Sequence, residues 1–116
     1  MADLHEIYSA AEKLKDDGQD EAAVEMLCNL LQQDESFTLA HLALAVLYGR
    51  VGDHGKAIQH GDRACQLEPD EPFNFTAMSV TYQRASQAVD NADDNQRYIR
   101  LAEEAMARAH QLQAGI

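Results

Sequence analysis

The stretch "YGRVGDHGKAIQ", Tyr48 to Gln59, places Gly49, Gly52 and Gly55 beside His54 and Lys56. Glycines next to a lysine raise the chemistry of a phosphate loop, where backbone amides wrap the phosphates and a hydroxyl holds magnesium. That motif reads G-x-x-x-x-G-K-S/T and follows a strand. Here five residues separate Gly49 from Gly55, Ala57 replaces the hydroxyl residue, and nothing before the loop alternates like a strand. The stretch reads as a corner between two helices.

Other reactive side chains form no constellation either. His5, His41, His54, His60 and His110 are scattered over the three units, and no two share one helix face at i, i+3 or i+4. Cys28 and Cys65 add no zinc-type spacing. The acidic doublets at 16–17, 70–71 and 93–94 fall at helix ends, where carboxylates cap amides or oppose the macrodipole. No catalytic, cofactor or metal residue is therefore expected, and the chain reads as a non-enzyme.

The charge balance is more informative. The 116 residues carry 9 Lys and Arg against 20 Asp and Glu, a formal net charge of −11. Residues 1–36 account for −8 of it, 37–71 for −2 and 72–116 for −1. Such a field repels nucleic acid and anionic membrane, and favours a basic or apolar protein partner. No basic stretch followed by an apolar core opens the chain, and no apolar run approaches the ~20 residues of a membrane span. Two unpaired cysteines suit a reducing compartment, so the cytoplasm is the expected location.

The elements that position these residues are helical throughout. Leu4, Ile7, Ala11 and Leu14 form one stripe, ended by Gly18; Ala23, Met26, Leu27, Leu30 and Leu31 form a second. Ser36 is placed to cap a third helix, Asp53 a fourth, Asp70 a fifth with Pro72 in its first turn, and Asp93 or Asp94 a sixth. The fold class is all-α, six helices joined by short turns.

A shift of 34 residues pairs Ala11 with Ala45, Leu14 with Tyr48, Gly18 with Gly52 and Ala23 with Ala57, and a second shift pairs Tyr48 with Tyr82. "RACQLEP" matches "RAHQLQA" at a shift of 45, so the third unit holds 11 extra residues, which should lengthen both of its helices. On these residues the chain resembles the tetratricopeptide repeat (TPR) family, most closely through Leu44, Ala45, Tyr48, Gly52, Ala57, Ala64 and Pro69 of the second unit. The resemblance implies one domain over residues 1–116, with units at about 3–36, 37–70 and 71–114, each an antiparallel hairpin in a right-handed superhelix.

It further implies that the first helix of each unit lines a concave peptide groove. The positions so implied are His5, Tyr8, Glu12 and Lys15, then Leu39, Leu42, Val46 and Arg50, then Phe73, Thr76, Val80 and Arg84. Arg50 and Arg84 would lie side by side to grip a carboxylate or carbonyl. Ser9, Ala43 and Ala77 lack the amides that family members use on acidic tails. The sixth helix has apolar residues to spare in Tyr98, Leu101, Ala105, Met106 and Leu112, a possible docking face or homodimer face. The expected function is an adaptor or scaffold binding a peptide of a partner in the groove. The alternatives are a small acidic chaperone for an apolar segment of a secreted protein, and a scaffold self-assembling through the long hairpin.

Overall fold

The computed structural model describes residues 3–115, and they form six α-helices with no strand among them. The helices are α1 (Leu4–Asp16), α2 (Asp20–Gln33), α3 (Thr38–Arg50), α4 (His54–Leu67), α5 (Pro72–Ala88) and α6 (Ala92–Gln113). Consecutive helices pair as three antiparallel hairpins, α1–α2, α3–α4 and α5–α6. The extra residues of the third hairpin do lengthen both arms, to 17 and 22 residues against 13 or 14 elsewhere.

The first two hairpins turn by the same device. Gly18 and Gly52 adopt positive φ, +80° and +84°, which costs glycine nothing and an L side chain much. The amide of Gln19 then reaches back to the Leu14 carbonyl at 2.8 Å, and that of Asp53 to Tyr48 at 2.9 Å. These are the hydrogen bonds that close a glycine-terminated helix.

Of the expected helix caps, one is found and three are displaced. Asp53 caps α4 by accepting from the Lys56 amide, as the sequence suggests. Ser36 does not cap α3, because its amide and hydroxyl both donate to Asp34 Oδ1; Phe37 holds the cap position. Glu71, not Asp70, accepts from the Phe73 amide at the start of α5. Asn91, not Asp93 or Asp94, caps α6, accepting from the Asp94 amide at 2.8 Å.

The alanines expected at close helix approaches are buried: Ala11, Ala45, Ala57, Ala64 and Ala102. Buried side chains also pin the junctions between hairpins. Asn74 Nδ2 donates to the carbonyls of Ala64, at 3.2 Å, and Glu68, at 3.0 Å. His41 Nε2 reaches the Glu35 carbonyl at 2.8 Å. Both residues sit early in the first helix of a hairpin and satisfy a carbonyl six residues back, which would otherwise be left without a donor.

The layering defines an inside and an outside. Helix α3 packs closely on both α1 and α5, whereas the backbones of α2 and α4, and likewise of α4 and α6, stay further apart. Helices α1, α3 and α5 are thus the tighter, inner layer of the stack. Gly61 of α4 lies directly against α5: a Cβ placed on it would overlap Met78 Sδ. We expect Gly61→Val to overpack this contact and cost about 1–3 kcal/mol. Gly55→Ala, with only Asp53 Oδ1 3.8 Å away, should be neutral or stabilising by up to ~1 kcal/mol. Urea unfolding of both variants checks the difference.

Candidate functional site

On the inner layer, residues 34 apart occupy equivalent places: His5, Leu39 and Phe73 near the helix starts, Tyr8, Leu42 and Thr76 a turn further, then Glu12, Val46 and Val80. Leu39, Phe73 and Val80 are 45%, 59% and 40% exposed, large apolar side chains left in solvent on neighbouring helices. Val46 is half-buried between them.

Several expected groove residues are committed elsewhere. Leu42 is only 8% exposed and belongs to the packing of α3, so its place in the groove is corrected. Arg50 Nη1 donates to the Lys15 carbonyl at 3.1 Å and to Asp20 Oδ1 at 3.2 Å, tying the second hairpin to the first. Arg84 lies over Gly49, its Nη1 3.6 Å from where a Cβ would stand. The paired arginine clamp is therefore not available, because one member is already spent on the fold. Lys15 pairs with Glu12 at 3.4 Å. Burial, with Glu12 one turn away, pushes the Tyr8 phenol up to about 12, so it keeps its proton. The Thr76 hydroxyl donates to the Pro72 carbonyl within its own helix.

The principal cleft lies at the His5–Leu39 end of this layer, with a volume of about 550 Å³. Leu4, Phe37, Leu39 and Leu67 form its apolar lining, and Asp3, Asp34 and Glu68 its acidic edge. Phe37 is held by His5 and Tyr8, with ring centroids 5.1 and 5.7 Å away. Sequence reasoning missed most of this site, since it looked along helices and the cleft is made where loops meet helix ends. One signal was present: Asp34 and Glu68 stand 34 residues apart, each at the C-cap of a second helix.

A second cluster was also missed. His41 and His60 belong to the same hairpin, one on each arm, and their Nδ1 atoms are 3.0 Å apart. His41 Nε2 faces two acceptors, the Glu35 carbonyl and its carboxylate at 3.1 Å, so it carries a hydrogen. A neutral His41 must then accept at Nδ1 from His60. Glu35 is also gripped by Arg63, whose hydrogen bonds hold its carboxyl at about 2. Tyr48 stacks on His60 with centroids 5.6 Å apart, carries Lys56 over its ring at 5.3 Å, and places its hydroxyl 3.8 Å from Cys28 Sγ of the first hairpin. Spacing within one helix cannot reveal a pair that spans two. Among the described residues, no group of three His, Cys, Asp or Glu is arranged to hold a metal ion.

The expected docking face on α6 is split. Leu101 and Ala105 line a cleft with Cys65, Phe75, Met78 and Tyr82, facing back to the second hairpin. Tyr98 stacks on Tyr82, with ring centroids 6.3 Å apart, under Arg97. Met106 faces another cleft with Ser79, Gln83 and the exposed Ile99, which the sequence reading did not include. Leu112 is half-buried in the last turns of α6. No described helix is long and apolar enough to cross a membrane.

No protein-family model matches this sequence, and no curated protein matches it.

The histidine pair gives the hairpin a pH dependence. Burial, then His41 and Lys56 nearby, lower the His60 pKa from its ordinary 6.5. The unfolded chain therefore binds a proton that the folded one resists, and stability falls as pH drops below about 6.5. Urea midpoints between pH 7.5 and 5.5 should fall less steeply in His60→Gln; an unchanged slope would assign the dependence to other groups.

Proposed function

We propose that the chain is a non-enzymatic protein-interaction module of the tetratricopeptide-repeat type, an adaptor or scaffold that holds a peptide segment of a partner against α1, α3 and α5. The observation that carries this is the exposure of Leu39, Phe73 and Val80 on adjacent inner helices. Exposed apolar side chains in register along neighbouring helices favour an extended or helical segment laid across them. The strong negative charge favours a basic partner and accelerates its encounter.

Two further features support a binding role over chemistry. Burial pushes the Cys65 thiol up to about 11, far from a nucleophile's range. The polar side chains that converge most closely, around Glu35 and His41, are bonded to one another within the second hairpin and its junction. Cys28 and Cys65 are free thiols, which suits a reducing cytoplasm. A second reading, self-association through the third hairpin, draws on the cleft around Ile99 and Met106.

The double variant Leu39→Asp with Val80→Asp should keep its helical circular dichroism and lose the partners that wild type captures from source cells. Leu42→Asp should instead unfold or lose several kcal/mol, because it buries a charge in the core. Partners indifferent to the double variant, or recovery of the protein alone, would move the function to the third hairpin.

A further inference from the structure

Resting on that reading, we infer that the cleft at the start of the inner layer takes the basic-flanked apolar portion of the partner peptide: one or two large apolar side chains with lysine or arginine beside them. Leu4, Phe37, Leu39 and Leu67 offer an apolar floor within a volume of about 550 Å³, ample for such side chains. The lining holds three carboxylates, Asp3, Asp34 and Glu68, and neither lysine nor arginine. None of the three takes part in an ion pair among the described residues. Asp3 accepts the His5 amide at the start of α1, and Asp34 accepts the Ser36 amide and hydroxyl, hydrogen bonds that bring no cation to either carboxylate. What remains is an uncancelled negative edge around an apolar floor.

The neighbouring carboxylate that is neutralised makes the contrast clear. Glu35 lies one residue from Asp34, yet Arg63 and His41 hold it. A second copy of the chain is a poor occupant, since every copy carries the same −11 and would bring acid to acid.

The test pans a phage-displayed library of random peptides on the wild-type protein, then measures an enriched peptide by fluorescence anisotropy. Selected sequences should share an apolar residue flanked by Lys or Arg. Their affinity should weaken about tenfold in Glu68→Lys, and several-fold between about 0.05 and 0.3 M salt. Glu68 makes no side-chain hydrogen bond or ion pair among the described residues, so this variant retains the fold's contacts. Leu39→Ser should weaken the same peptide without changing its salt dependence.

Enriched peptides without basic residues, bound equally by Glu68→Lys but lost in the Leu39→Asp and Val80→Asp double variant, would overturn the inference and leave the peptide module intact. Failure to enrich any peptide that the double variant releases would overturn both. Concentration-dependent self-association abolished by Glu68→Lys would assign the cleft to a second copy and also overturn the inference.

Discussion

Helix α3 must be covered over most of its surface, and the rest of the molecule is arranged to do so. Thr38, Ala40, His41, Leu42, Ala43, Leu44, Ala45 and Leu47 are all buried, and only Leu39, Val46 and the last turn keep access to solvent. A helix apolar all round is stable only in the interior of a larger assembly. Helices α1 and α2 close it from one side, α4 and α5 from the other. Leu44 and Leu47 are fully buried, each contributing roughly 1.5–3 kcal/mol.

That enclosure explains why the exposed apolar side chain of α3 lies at its start, whereas α5 offers Phe73 at its start and Val80 in its middle. The middle of α3 has no side chain to spare, which is why Leu42 packs inward while Leu39, near the helix start, remains exposed. It also explains the polar residues inside the stack. Chain entering α3 or α5 leaves carbonyls behind in the preceding turn, and His41 and Asn74 satisfy them from within. In α3 the residue chosen is a histidine, and it joins His60, Glu35, Arg63 and Tyr48 in one connected cluster.

The same geometry separates two kinds of acid. Some carboxylates are structural: Asp53 and Glu71 cap helices, and Asp20 and Glu35 hold arginines across hairpins. Asp3 and Asp34 accept local amide hydrogen bonds but keep their charge at the cleft edge, where Glu68 joins them. The uneven charge of the sequence thus takes a position in space, between the first two hairpins and at the end of the second.

The sequence by itself determined the helices, their hairpin pairing and the lengthening of the third unit. These follow from local features: apolar spacing, glycines at positive φ, and a 34-residue period that repeats the same turn. The family resemblance placed positions 39, 73 and 80 in a groove, and all three are exposed, but it placed the buried Leu42 there too. Tertiary structure alone decided the rest. Whether His41 meets His60 depends on how the two arms of one hairpin face each other; whether Leu42 faces a ligand or the core, and whether Arg50 is free or bound to Asp20, depend on how far one hairpin is rotated against the next. That rotation is set by the fit of buried side chains such as Met78 over Gly61, and no spacing within a single helix encodes it.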